Sequence, residues 1–193
     1  MRKGRVPMRV ISGLARGRRL KELQGMDTRP TTDKVKESMF NILQFELEGR
    51  DILDLFSGTG QLGIEALSRG AARCTFVDQR KEAIALIREN IKVCNFIEQS
   101  RAVQSEALSF LAGCREKYDI IFLDPPYHGS LLEQSLQAIV RFDILREHGI
   151  ILCESAADWS LPPLPSPFQT GREYRYGKIK LSLCHRAGSE ENK

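Results

Sequence analysis

Ile52-Leu53-Asp54-Leu55-Phe56-Ser57-Gly58-Thr59-Gly60-Gln61-Leu62-Gly63-Ile64-Glu65 is the stretch that decides the fold of this 193-residue chain. A short apolar run reads as a buried strand. It passes into a glycine-rich turn, and a helix begins near Gln61 and continues through Ala66 and Leu67. Glycine permits positive φ and close backbone approach to a ligand. The helix start adds unpaired amides and the positive end of a dipole. Strand, glycine turn and helix in this order form the first unit of a doubly wound α/β sheet. Taken literally, Gly58-x-Gly60-x-x-Gly63 is a dinucleotide fingerprint, and Asp78 stands at the distance expected of a ribose-binding carboxylate.

Asp54 argues against a phosphate-bearing ligand. It closes the strand four residues before the first glycine, where a pyrophosphate would lie, and two like charges across a low-dielectric gap cost kcal/mol. S-adenosylmethionine has no phosphate and carries a sulfonium and an ammonium, so a carboxylate beside it is attractive. A plain capping role for Asp54 is the competing interpretation, since Asp is common where strands turn into loops. On the cofactor interpretation, Asp54, Phe56, Ser57, Gly58, Thr59, Gly60 and Gly63 surround S-adenosylmethionine. Asp78, with Gln79 beside it, takes the ribose hydroxyls, and Glu106 with Ala107 stands near the adenine. Glu106 reads equally well as an ordinary exposed loop acid.

The rest of the chain alternates in the same way. Arg73 to Asp78 reads as a second strand. Lys81 to Val93 has helical apolar spacing at Ala83, Ile84, Ile87 and Ile91. Arg101 to Ala107 is expected as a third strand, Tyr118 to Asp124 as a fourth and Gly149 to Glu154 as a fifth, with a helix from Leu131 to Ile144 between the last two. Such alternation implies a parallel sheet with right-handed crossovers. Arg172 to Tyr176 and Lys178 to Cys184 flank Gly177 as a hairpin, and Ile179, Leu181 and Leu183 alternate with polar residues as in a half-buried strand. The expected fold is therefore Rossmann-like α/β: a seven-stranded, mostly parallel sheet with helices on both faces and a C-terminal antiparallel hairpin. The prolines of Leu161 to Phe168 read as a stiff connection, with a PxxP ligand as the alternative.

Asp124-Pro125-Pro126-Tyr127 follows the fourth strand. Two prolines have fixed φ and no amide hydrogens, which makes a stiff loop with free carbonyls. An acid, a rigid acceptor and an aromatic face held together suit a planar base with an exocyclic amine. The carboxylate and a proline carbonyl accept from the amine while Tyr127 stacks on the ring. The bland alternative is a proline turn with a partly buried tyrosine. His128, next in line, reads as a loop residue. If the first and fourth strands are neighbours, this loop abuts the glycine-rich loop, as transfer between two bound ligands requires.

Residues 1–30 hold nine Lys or Arg against two acids, a net +7, while the whole chain is +4 and the remainder therefore −3. This asymmetry reads as a nucleic-acid arm, the alternative being a solvated basic terminus. Val10, Ile11, Leu14 and Leu20, interleaved among the basic residues, predict a packed hairpin with its charges outward. A helix from Lys34 to Leu43 follows, with Thr32 or Asp33 as its N-cap.

The chain resembles the bacterial 16S ribosomal RNA guanine-N2 methyltransferases of the RsmD type, class I enzymes dependent on S-adenosylmethionine. The resemblance runs through Met8-Arg9-Val10-Ile11-Ser12-Gly13, Arg16-Gly17-Arg18-Arg19-Leu20, Thr28-Arg29-Pro30-Thr31-Thr32-Asp33, and Val35-Lys36-Glu37-Ser38-Met39-Phe40-Asn41-Ile42-Leu43. It continues through the glycine motif, Glu65-Ala66-Leu67-Ser68-Arg69-Gly70-Ala71 and the Asp-Pro-Pro-Tyr tetrad. The last motif and the glycines mark only amino-group methyltransferases; the N-terminal stretches point to this family. Glu106 stands where related enzymes often carry Asp. The resemblance implies catalysis by Asp124, Pro125, Pro126 and Tyr127, and RNA contact by Arg9, Arg16, Arg18, Arg19, Lys21 and Arg29. The partner it implies is 16S RNA or the small ribosomal subunit.

The expected division is a basic extension with its leading helix (1–45), a methyltransferase unit (46–187) and a disordered tail (188–193). No run is as long as a membrane span, and the basic N-terminus lacks the apolar segment of a secretory signal. Five scattered cysteines without a CxxC fit a reducing cytoplasm better than zinc or disulfides. The scheme calls for no metal, and an asymmetric arm suits a monomer. Several alternatives stay open: adenine N6 or a protein amide as acceptor, a non-catalytic RNA-binding assembly factor, and, more remotely, a nicotinamide dehydrogenase.

Overall fold

The structure is a computed structural model that describes residues 7–22, 33–126 and 130–186. Arg29, the Thr32 cap, Tyr127, His128 and the tail from Gly188 lie outside the described residues.

Five parallel strands form the core of the sheet: β1 (Asp51–Asp54), β2 (Arg73–Asp78), β3 (Ser100–Gln104), β4 (Tyr118–Leu123) and β5 (Leu145–Ala156). β6 (Phe168–Tyr176) and β7 (Ile179–Arg186) complete it in the order β3-β2-β1-β4-β5-β7-β6, with β7 antiparallel to both its neighbours. All residues of β1 and β4 are buried, because helices cover both faces, as parallel sheets require. On one face lie α1 (Asp33–Ile42), α2 (Gln61–Ser68) and α3 (Lys81–Cys94), against Ile52, Phe76, Phe122 and Leu152. On the other lie α4 (Ala107–Gly113) and α5 (Leu131–Arg141), against Leu53, Val77, Ile121 and Ile151. Chain order turns from β1 to β2 on one side and from β1 to β4 on the other. The switch point, where such sheets bind ligands, therefore lies between β1 and β4.

Three expectations change. The third strand ends at Gln104 instead of Ala107, and Ala107 opens helix α4, which the residue pattern did not disclose. Glu106 is the N-cap of that helix and accepts from the Ser109 amide at 3.3 Å and its hydroxyl at 2.7 Å, which ends the strand. The C-terminal hairpin is not half-buried on β7. That strand lies inside the sheet between β5 and β6, so Lys180 and Ser182 are as buried as their apolar neighbours. Glu173 on β6 meets the Lys180 charge at 3.0 Å. Finally, β5 is longer than Gly149 to Glu154, gaining residues where the β4–β5 register shifts between Tyr118 and Ile120.

The basic N-terminal segment is a packed hairpin. Arg9 and Arg19 form an antiparallel bridge. The Leu20 amide donates to the Met8 carbonyl at 2.9 Å, and the Val10 amide to the Arg18 carbonyl at 3.0 Å. Met8, Val10, Ala15 and Leu20 are buried while Arg9, Arg16, Arg18, Arg19 and Lys21 are exposed. Leu14 departs from the expected alternation and is 86% exposed. It sits at the turn, where its amide is tied to the Ser68 carbonyl at 2.7 Å and its side chain projects outward.

Candidate functional site

The glycine-rich loop is fixed mainly by its own side chains. The Ser57 hydroxyl donates to the Asp54 carbonyl at 2.6 Å and accepts from the Val77 amide at 2.9 Å, clamping β1 to β2 at their carboxyl ends. Gly58 and Gly60 take φ of +56° and +78°, which bends the backbone back so that Gly60 caps α2. Gly63 is required for packing: a Cβ there would lie 2.3 Å from the Phe76 ring and 2.5 Å from the Cys74 sulfur. The third glycine thus lets α2 sit against β2 and aims the Gly63 amide at the Asp54 carboxylate, 3.1 Å away.

Asp54 is 2% exposed. Burial pushes its carboxyl up to about 7, opposed by the Gly63 amide and helped by the nearby Asp78 charge. A buried acid at the mouth of a glycine loop suits a cationic ligand and disfavours a pyrophosphate. The donor set therefore fits S-adenosylmethionine. The capping role considered for Asp54 is also present, in the same hydrogen bond to Gly63.

Asp78 ends β2 beside this loop. It accepts from the Gly58 amide at 3.0 Å and from the Arg80 amide and Nε at 2.9 and 3.0 Å. Gln79 is exposed next to it, and its carbonyl accepts from Gln104 at 3.4 Å. Phe56 and Thr59 are half-buried on the loop. Glu106 is exposed with its carboxylate turned back onto α4, and Ala107 is buried.

Neighbouring strands bring the second motif to the first. Asp54 pairs with Phe122, and the Leu55 amide donates to the Phe122 carbonyl at 3.3 Å, so Asp124 begins the loop two residues beyond that level. Asp124 is half-buried, Pro125 buried and Pro126 exposed. The described candidates therefore gather at the carboxyl ends of β1, β2 and β4, around the switch point.

The basic hairpin is tied to the same loop by residues that the sequence patterns did not mark. Glu65 of α2, fully buried, accepts from the Ile11 and Ser12 amides at 2.7 and 2.9 Å and from Arg69 at 2.9 Å. Lys36 of α1, also fully buried, lies 3.9 Å from Glu65 and donates to the Arg9 carbonyl at 2.8 Å. Asn90 of α3 accepts from the Lys21 amide at 2.8 Å and donates to the carbonyls of Lys21 and Thr59 at 3.1 and 2.9 Å. Gly13 touches α2 so closely that a Cβ would fall 1.7 Å from the Ser68 carbonyl oxygen. The open end of the hairpin is thus fastened at the glycine-rich loop and its tip at the far end of α2. A signal was available for Glu65, an acid on the apolar face of a helix pattern, but the hairpin amides that it accepts from, Ile11 and Ser12, are more than fifty residues away.

A cavity of about 320 Å³ opens at the other edge of the sheet. Its Asp51 is engaged with Arg73 and Arg146 at 2.8 Å each, and none of the candidate residues lines it.

A seven-stranded sheet in this order, with a glycine loop after β1 and an acid–proline motif after its neighbour β4, is the class I methyltransferase fold. The solved structure of the candidate methyltransferase yhhF from Escherichia coli superposes with a TM-score of 0.85 at 34% identity, covering 94% of this chain and 98% of that one. The chain belongs to the family described as Conserved hypothetical protein 95, which matches residues 8–185. Among its relatives, the candidate rRNA methyltransferase YlbH of Bacillus subtilis is 39% identical over 94% of this chain and 100% of its own. Ribosomal RNA small subunit methyltransferase D of Escherichia coli is 34% identical over 96% and 93%.

Proposed function

We propose that this chain transfers a methyl group from S-adenosylmethionine to the exocyclic N2 amine of a guanine in the 16S RNA of the small ribosomal subunit. The observation that carries this reading is the meeting of the buried Asp54 and its glycine loop with Asp124-Pro125-Pro126 across adjacent strands. The names of the relatives support the RNA and the subunit. The N-terminal resemblance supports guanine.

When bound, S-adenosylmethionine supplies an electrophilic methyl group. Asp54 would hold the ammonium of its amino-acid end, the backbone of Phe56 to Gly60 would enclose it, and Asp78 with Gln79 would take the ribose. Glu106, one carboxylate oxygen of which caps α4, and Ala107 would stand near the adenine. The guanine amine is a poor nucleophile because its lone pair is conjugated with the ring. Asp124 and the Pro125 carbonyl accept its two N–H bonds, localise the lone pair and aim it, so positioning and preorganised electrostatics provide most of the rate. Once alkylated, the amine is strongly acidic and loses its proton to Asp124 or water. Tyr127 stacks on the base, a contact worth about 1–3 kcal/mol, and the target nucleotide must leave any helical stack to enter. Residues 1–45 form the RNA-contacting part, through Arg9, Arg16, Arg18, Arg19, Lys21 and Arg29, and residues 46–187 the catalytic part.

The test offers labelled S-adenosylmethionine with undermodified small subunits, free 16S RNA, DNA and protein in parallel, followed by nucleoside analysis. N2-methylguanosine from the small-subunit substrates is the expected product. N6-methyladenosine, or label only in DNA or protein, would overturn the assignment.

A further inference from the structure

Arg172-Glu173-Tyr174-Arg175-Tyr176-Gly177-Lys178 sets three bases against one acid, although residues 31–193 together are −3, and it holds two of the chain's four tyrosines. Charge and aromatic surface are thus concentrated at the end of the β6–β7 hairpin. The ladders carry that end to the mouth of the site. Leu123 pairs with Cys153, Cys153 with Ser182 and Ser182 with Glu173. β6 runs parallel to β4, so Tyr174, one residue on, stands level with Asp124, three strand spacings or about 14 Å away. Tyr176 and the turn at Gly177 and Lys178 lie past that level, at the carboxyl edge. Both tyrosines are half-buried on the α1–α3 core, the face to which the basic N-terminal hairpin is fastened through Lys36 and Glu65. Arg172, Arg175 and Lys178 are exposed. Glu173 is held by Lys180 at 3.0 Å and by the Ser182 hydroxyl at 3.1 Å. Edge strands carry charges that discourage pairing with another chain, but two partly exposed aromatic rings do not serve that purpose.

We propose that Tyr174 and Tyr176, with Arg172, Arg175 and Lys178, form a second RNA-contacting surface that takes unpaired nucleotides flanking the target base. The inference rests on the small-subunit RNA reading above. Drawing a base out of its stack leaves neighbours with a bare face. Aromatic rings beside cations bind such bases with little regard to sequence, because every base has a π-face. The pocket then lies between two basic surfaces, the N-terminal hairpin on one side and β6 on the other. A strand held on both sides of the reacting amine is positioned better than one held on a single side.

The test uses the full chain with Tyr174→Leu, Tyr176→Leu and the corresponding Phe variants, since leucine keeps the core packing and phenylalanine keeps the ring. Affinity is measured for undermodified small subunits and for protein-free 16S RNA, with urea unfolding and S-adenosylmethionine affinity as controls. Each Leu variant is expected to weaken both complexes by about 5- to 20-fold, the lower part of the range for base–aromatic stacking because the rings are half-buried. KM for small subunits should rise by the same factor, with the effect in KM rather than kcat, because the rings do not touch the reacting atoms. Each Phe variant should bind as wild type does. Lys178→Ala, at an exposed turn, should lower the slope of log affinity against log salt by about 0.7, the value for a single-strand contact; an unchanged slope would remove that cation from the surface. Leu variants that bind like wild type, or Phe variants that bind as poorly as the Leu ones, would overturn the stacking surface. A loss confined to whole subunits, with free RNA held at wild-type affinity, would make a ribosomal protein the occupant and overturn it too. If wild-type protein methylates no RNA, the proposed function itself fails, a result distinct from these.

Discussion

Replacing Asp54 with Asn separates what this buried acid costs the fold from what it gives the cofactor. The carboxyl has an ordinary value of 3.8 and is raised to about 7 in the folded chain, chiefly by burial. The unfolded chain therefore gives up this proton first. Between about pH 4 and pH 7 the native state binds more protons than the unfolded state, so stability falls as pH rises through that window and is level beyond it. The shift corresponds to about 4 kcal/mol at most. Asn carries no charge, and its carbonyl still accepts from Gly63, so Asp54→Asn is expected to be more stable than wild type at pH 8 by up to that amount. At pH 5 the gap should be markedly smaller. Cofactor binding should move the other way, because the variant loses a charge-assisted contact worth about 1.5–3 kcal/mol, or at least tenfold in affinity. Urea denaturation at pH 5 and pH 8, with calorimetric titration of S-adenosylmethionine at pH 8, measures both. A variant less stable than wild type at pH 8 would show that burying the charge does not cost the fold, and one that binds the cofactor as tightly would show that the charge does not hold the cofactor.

The anchoring of the basic hairpin gives three further expectations. Glu65→Ala removes the acceptor for Ile11, Ser12 and Arg69 and leaves Lys36 buried beside a void; a loss of about 3–5 kcal/mol is expected, read by thermal or urea unfolding. Gly13→Ala combines a φ of +79° with a Cβ 1.7 Å from the Ser68 carbonyl. It should displace the hairpin and weaken RNA binding at least about tenfold, a shift of 1.4 kcal/mol, while calorimetry finds cofactor affinity intact. Single Ala substitutions at the exposed Arg16, Arg18 and Arg19 should weaken binding of all RNA sequences alike. Each should lower the slope of log affinity against log salt by about 1, and an unchanged slope would remove that residue from the contact surface.

The central strands were legible because β1, β2 and β4 are short apolar runs bounded by acids or glycines, and burial on both faces leaves such runs little choice. The two motifs were legible for the same reason, since each sits at a strand end. Helix α4 was not, because its seven residues are too few to display a helical period and its start depends on Glu106 turning back to Ser109. Lys180 misled in the opposite direction: its alternation with Ile179 and Leu181 is that of an exposed face, and only the insertion of β7 between β5 and β6 buries it. The packed hairpin could be expected from Val10 and Leu20, but its anchors could not, because Glu65, Lys36 and Asn90 act across separations of 27 to 69 residues. Leu14 reads like its apolar neighbours and differs only by its place at the turn.

Asp124, brought beside the glycine-rich loop by the pairing of β1 with β4, is the residue we propose to direct a guanine amine of small-subunit RNA to the methyl donor. The most direct measurement locates the labelled methyl group in RNA from undermodified small subunits treated with wild-type protein or with Asp124→Ala, at equal cofactor occupancy. N2-methylguanosine at one position with wild type, and a loss of at least about a hundredfold in rate with the variant, a change of some 2.7 kcal/mol in the barrier, is the predicted result. A variant that binds cofactor and methylates that position at the wild-type rate would contradict it.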